Sequence, residues 1–324
     1  MRQLSMHRKY ALLACLLMAM TAVGCRPFFD DLSKCSETTL EYRYIRAQED
    51  EYSTEVQQMR HFLFNTAGEY IRELKQNEVT PQELRISGLT PGSYTVVTVG
   101  NSTQEGTMLT DLEAGKSHMS DFTLRLKARY NEQAYSGAEQ LFWNSKTFEV
   151  KEAEKQRYVC DLANIHCHLI YEVSWQSAPP ESGSYRIELT GLTERYLLDP
   201  AQSNLSIEIN PVKEVRHDFP LHGSETTALY QEVPLFNHCL RGEAVSLRYR
   251  DDHIPTFRVM YGNRALTQQL DLQRAFRAFG WIPDRRAEQI YRIQIRINDD
   301  GSVTIRPWYD GSVEDWQPGG VLFQ

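Results

Sequence analysis

The chain has 324 residues, 41% of them hydrophobic and 24% charged, and a formal net charge of −8. That length suits about two domains, and the composition is that of a folded chain rather than a disordered, collagen-like or coiled-coil one. The acidic balance argues against nucleic acid as a partner, because phosphates need a basic face.

Arg2, His7, Arg8 and Lys9 form a positive head, and an apolar run follows from Tyr10 to Val23. A membrane-spanning helix needs about 20 apolar residues, so the shorter run predicts a secretory signal. It closes on Ala22-Val23-Gly24-Cys25, which looks like the lipobox of bacterial lipoproteins. Small side chains at Ala22 and Gly24, with Val23 between them, suit a narrow signal-peptidase pocket. The Cys25 sulfur would take a diacylglycerol as a thioether. Residues 1–24 are therefore expected to be removed, and 25–38 to form a tether. Loss of Arg2, Arg8 and Lys9 takes the formal charge from −8 to −11, so acyl chains rather than surface charge must hold the chain to a membrane. Each buried methylene contributes about 0.8 kcal/mol. Asp30-Asp31, just past the cysteine, resembles signals that send lipoproteins to the outer face of the outer membrane. No later stretch approaches 18 apolar residues, which leaves the remainder outside the cytoplasm.

Downstream, the pattern is mostly β. Leu40-Glu41-Tyr42-Arg43-Tyr44 alternates with period two, the mark of a strand with one buried face. Met59 to Phe64 is a strand closed by Asn65-Thr66-Ala67-Gly68, and Tyr70-Ile71 begins its return. Leu84-Arg85-Ile86 precedes a Pro- and Gly-containing turn, and Tyr94 to Val99 is a β-branched strand. Phe122–Leu126 and Leu141–Val150 add two more. The charge run Lys151 to Arg157 is the expected boundary between domains 39–157 and 158–324. Beyond it, Ile165–Trp175 and Tyr185–Leu189 are predicted strands joined by a hairpin-type loop, Ser177 to Gly183. Leu266 to Phe279 has helical spacing. Tyr291, Ile293, Ile295 and Ile297 alternate, Asn298-Asp299-Asp300-Gly301 turns, and Val303-Thr304-Ile305 returns. Many short strands with turns between them imply an all-β fold with little helix, two β-sandwiches in series. The tail, Ser312 to Gln324, suits either a free terminus or a donor strand.

Setting aside Cys15, lost with the signal, and Cys25, four thiols remain: Cys35, Cys160, Cys167 and Cys239. Their disulfide pairing is open. A zinc site built on Cys160 and His166-Cys167-His168 is the sharp alternative, but strand alternation puts the two histidines on one face and Cys167 on the other. No metal or other cofactor is therefore expected.

Several of these segments together resemble a known family. Cys25, then Asp30-Asp31-Leu32-Ser33-Lys34-Cys35 and a tyrosine-rich strand are similar to the start of FimB-type fimbrial subunits. These are anchor or minor pilin lipoproteins of the type V pili of anaerobic Gram-negative bacteria. Phe62 to Ile71 resembles the family's phenylalanine-acid-x-x-glycine hairpin, Leu89 to Asn101 its next block, and the terminal hairpin with Trp308 its end. Asn65 stands where an acid is common in the family, and Val99 where an aromatic is common. The resemblance implies two tandem transthyretin-like β-sandwich domains. It also implies a palmitoylated outer-membrane lipoprotein of the cell surface, acting in pilus assembly and cell adhesion. Its partners would be stalk or accessory pilins, met by strand complementation, and membrane lipid through acylated Cys25. An anchor keeps its first strand, whereas stalk pilins lose theirs by cleavage after an arginine; here Arg43 and Arg46 are the candidate positions. Base or tip placement, the partner pilin and any adhesive ligand stay open.

No nucleophile elbow, phosphate loop or zincin motif occurs, and pairs such as His217-Asp218 or Asp251-Asp252-His253 are what nine His and 43 acids produce by chance. No enzyme is expected. The alternative is a surface glycan-binding lipoprotein, with Trp143, Trp175, Trp281, Trp308 or Trp316 stacked on a sugar.

Overall fold

A computed structural model describes residues 36–75, 81–127, 134–135, 137–179, 184–200, 222–308 and 321–323. Period-two alternation sets the first strand, β1 (Glu37–Arg43), with Leu40 and Tyr42 inside and Glu41 and Arg43 only half-buried. β2 (Met59–Asn65), β3 (Tyr70–Leu74), β4 (Glu83–Ser87) and β5 (Gly92–Gly100) follow. Then come β6 (Thr107–Leu109), β7 (Thr123–Leu126), β8 (Phe142–Val150) and β9 (Lys155–Asp161). β1 is the middle strand of a three-stranded sheet, parallel to β9 and antiparallel to β4. The facing sheet has the order β8-β5-β2-β3, with Ala163–Asn164 added beside β8. Leu40, Tyr42 and Ile86 from one sheet pack on Leu63, Val96 and Phe142 from the other.

From Thr95 to Gly100 every residue of β5 is buried. A strand with one wet face would alternate; this one does not because its sheet is covered on both sides. Val97 and Val99 look away from β1 into another core, with Phe62, Phe64 and Trp143. Phe122, just before β7, and Leu124 of β7 close that core, together with Tyr196, Leu198 and Leu247 from the second half of the chain.

The second half contributes β10 (His166–Trp175), β11 (Ser184–Leu197), β12 (His222–Pro234), β13 (Cys239–Leu247) and β14 (Thr256–Tyr261). A helix, α1 (Leu272–Ala278), precedes β15 (Gln289–Ile297), β16 (Val303–Pro307) and β17 (Val321–Phe323). One sheet runs β13-β10-β15-β16-β17 and the other contains β12-β11-β14. Between them Leu169, Tyr171 and Ile293 meet Ile187 and Phe257, and Phe276 of α1 joins this core. The fold is all-β, built as two sandwiches.

The halves interlock. β7 pairs with the far end of β11, Leu124 opposite Tyr196, and β6 pairs with β7, so a hairpin from the first half extends a sheet of the second. The stretch 151–157 turns at Ala153 and its last three residues already belong to β9, which continues through Tyr158 and is hydrogen-bonded to β1. Three sequence expectations are corrected. β10 and β11 lie in different sheets, so the segment joining them is a crossover rather than a hairpin loop. The helix expected over Leu266–Phe279 is confined to Leu272–Ala278, because Asp271 caps it by accepting from Gln273 N (2.9 Å) and Arg274 N (3.3 Å). Leu270 belongs instead to a short strand beside β14. In the tail, Val321–Phe323 is the edge strand β17 with Phe323 buried, while 309–320 lie outside the described residues.

Both departures from the family pattern have local explanations. Asn65 Oδ1 accepts from Ala67 N (2.9 Å) and Glu69 N (3.0 Å), the acceptor role an acid would fill in the turn. Val99 stands opposite Trp143, whose ring supplies aromatic bulk to the same core.

Candidate functional site

Where the halves meet, the end of β1, the link from Leu141 to His166 and the residues before β15 converge on a cleft of about 230 Å³. Glu288 ties the two sides together: its carboxylate accepts from Tyr44 Oη (2.5 Å) and from Asn164 Nδ2 (2.6 Å). Below it, Arg248 is 3% exposed and donates to the carbonyls of Asn164 (3.1 Å), Ala287 (2.5 Å) and Arg286. Burial lowers its pKa, while the three carbonyls hold the guanidinium in place. His166 donates from Nδ1 to Leu141 O (2.9 Å), and burial brings its pKa down to about 3, so the ring is neutral. His168 stands next to it, ring centroids 4.9 Å apart, and contacts Glu243 through Nδ1.

Cys167 points the other way, into the core, as alternation requires. Burial keeps its thiol protonated and pushes that of Cys160 up to about 12. Cys160, Cys167 and Cys239 are free thiols, and among the described residues no group of three His, Cys, Asp or Glu is placed to share an ion. The lipobox residues Ala22, Val23, Gly24 and Cys25, and also Cys35, lie outside the described residues. Among those described, no helix is long and apolar enough to cross a membrane. Trp143 is buried and Trp175 and Trp281 pack on the second sandwich's core; Trp308 is half-buried beside Arg241, and Trp316 lies outside the described residues. Of the accidental acid–histidine pairs, Asp251 exchanges hydrogen bonds with Asp284, and His217-Asp218 lies outside the described residues.

The two arginines at the end of β1 are held differently. The Arg43 side chain donates to Asp161 Oδ1 from Nε (3.1 Å) and Nη2 (2.9 Å). On the peptide bond that follows it, the Arg43 carbonyl accepts from Leu162 N (2.7 Å) and the Tyr44 amide donates to Asp50 Oδ1 (3.1 Å). Arg46 is paired with Glu51 and with Glu55 (3.0 Å). The next residues, Ala47 and Gln48, have φ of 48° and 73°, so the chain after Arg46 turns rather than extends. β1 itself has neighbours on both sides. Strands in a sheet lie about 4.8 Å apart, so without β1 a gap of about 9.6 Å would separate β9 from β4, the width of one missing strand.

The chain's own first strand thus fills the space between β9 and β4. The model of the Mfa2 family, described as fimbrillin-A associated anchor proteins Mfa1 and Mfa2, matches residues 32–218, more than half of the chain. The chain belongs to that family. Mfa2-family proteins are fimbrial anchors, not enzymes. Among solved structures, the fimbrial anchor protein Mfa2 of Porphyromonas gingivalis is similar with a TM-score of 0.59 and 16% identity, covering 84% of this chain and 97% of that one. A candidate polysaccharide-binding protein of Bacteroides thetaiotaomicron gives 0.62 and 12%, covering 86% and 99%. A candidate adhesin of the same organism gives 0.59 and 11%, covering 85% and 97%. At these identities the likeness is one of fold. No curated protein matches the chain in sequence.

Asn164, Arg248 and Glu288 carried no local signal. Glu288 follows Tyr44 by 244 positions, and only the topology brings them together.

Proposed function

We propose that this Mfa2-family chain is an outer-membrane lipoprotein, acylated at Cys25, that ends a fimbria at the cell surface. Its first strand stays in place, so the chain fills its own groove and does not accept a strand there. It can still join stalk or accessory pilins by donating or docking a strand, because backbone pairing gives affinity and alternating side-chain pockets give register. The observation that carries this reading is β1 as the central strand of its sheet, with the Arg43–Tyr44 bond hydrogen-bonded on both sides. Mass spectrometry of the protein from native cell surfaces tests it. A mature N-terminus at acylated Cys25 is expected; one at Tyr44 or Ala47 would make the chain an elongating subunit.

A further inference from the structure

The outward face of the β13-β10-β15-β16 sheet differs in charge from the rest of the molecule. It carries Arg241, Arg292, Arg296 and Arg306 against Glu172 and Glu243, in a chain whose net charge is −8. The cations are all arginine. Beyond Lys213 the sequence has 13 arginines and no lysine. Arginine's planar fork matches carboxylates bidentately, whereas lysine is a point charge.

The face is also ordered by its own side chains. Arg241 Nε donates to Glu172 Oε2 (2.6 Å), Gln294 Nε2 donates to Glu172 Oε1 (2.9 Å), and Arg306 Nε donates to Gln294 Oε1 (2.9 Å). Glu172 thus neutralises Arg241, while Arg306 is braced by a neutral amide and keeps its charge. Arg292 and Arg296 are exposed and have no ion pair among the described residues. The three uncompensated guanidiniums follow a regular step. Arg292 comes first, Arg306 stands level with Gln294, and Arg296 comes next, one cation for every two residues along β15. Two residues of strand span about 6.6 Å, which is also the repeat of like-facing side chains in any extended peptide. Half-buried Ile170 and Ile290 lie on the same face, and Arg241 sits 5.8 Å from the Trp308 ring. Arginine and tryptophan beside apolar residues are what protein interfaces concentrate.

We propose that this sheet face docks an extended acidic segment of a partner protein, with carboxylates at alternate positions meeting Arg292, Arg306 and Arg296 in turn. The matching repeat favours a polypeptide over a membrane surface, which has no such register and which an acidic chain approaches against its own charge. The inference stands whether or not Cys25 is acylated.

Fluorescence anisotropy on the detergent-solubilised full mature chain tests it. The probes are a ten-residue peptide of alternating Glu and Thr, and a peptide of the same composition with its Glu residues in one block. The alternating peptide is expected to bind at least tenfold more tightly than the blocked one. It should weaken at least tenfold with the combined Arg292→Ser, Arg296→Ser and Arg306→Ser variant, and change less than twofold with Arg277→Ser on α1. Circular dichroism and thermal melting confirm that the variants are folded. Equal binding of the two peptides would show generic polyanion attraction and overturn the proposal. So would an unaffected triple variant, or binding confined to phosphatidylglycerol vesicles or dextran sulfate.

Discussion

A methyl group at Gly242 would sit 2.4 Å from the Tyr171 hydroxyl and 2.6 Å from its ring carbon. The two residues face each other across β10 and β13, and the tyrosine ring lies over the space where a side chain would be. Tyr171 Oη donates to Gln231 Oε1 (2.8 Å), which links the two sheets of the second sandwich. Gly242→Ala is therefore expected to displace the ring and destabilise the fold by about 1–3 kcal/mol, seen as a lower urea midpoint; an unchanged midpoint would refute the contact. Two histidines set a pH dependence. Burial lowers the pKa of both His61 and His166 to about 3, whereas an unfolded chain titrates near 6.5. Below pH 6.5 the unfolded state binds more protons, so the stability from these rings is fully present above that pH and declines as pH falls toward 3. The slope approaches about 1.4 kcal/mol per pH unit for each ring. Denaturation at pH 7.5 and pH 5 should show the loss, and a flat profile between them would exclude neutral buried rings.

At the scale of elements, β1 carries the central expectation. Trypsin acting on the folded protein should leave the Arg43–Tyr44 and Arg46–Ala47 bonds intact, since neither offers an exposed extended segment. Early fragments beginning at Tyr44 or Ala47 would show that β1 opens without global unfolding. The alternation of Leu40-Glu41-Tyr42-Arg43 and of Tyr291 to Ile297 was legible in the sequence because each of those strands has one wet and one dry face. β5 showed itself as a strand by its β-branched residues. Its unbroken burial had no local explanation, because the second cover comes from Phe122 and Leu124 and from residues about 100 positions further on. The crossover from β10 to β11 hid for a related reason: a Pro- and Gly-containing linker looks the same whether it turns within one sheet or passes between two. Of the joint, sequence alone exposed His166 and His168 on a common face, but not Glu288, Asn164 or Arg248. Their roles depend on long-range register.

For the whole molecule, the relevant fact is the core shared by the two halves. Phe62, Phe64 and Val99 from the first bury themselves against Tyr196, Leu198 and Leu247 from the second, with β7 hydrogen-bonded to β11. Separating the sandwiches would expose both sides of that core and leave the end of β11 with β12 on one edge and nothing in place of β7 on the other. Calorimetry should accordingly give one cooperative unfolding transition for the full mature chain. Two transitions well separated in temperature would mean that the shared core contributes little.

The orientation of β1 bears on mechanical load. A pull directed along the axis of β1 enters the strand at its amino end, Glu37. Ladder bonds between antiparallel strands run perpendicular to that axis, and the bonds to β4 on one side and β9 on the other must slide together instead of opening one after another. Traction on the amino-terminal end thus meets the sheet in shear. At its other end, Tyr44 passes the strain through Glu288 to β15, so tension entering at one sandwich is shared with the next before any strand is extracted.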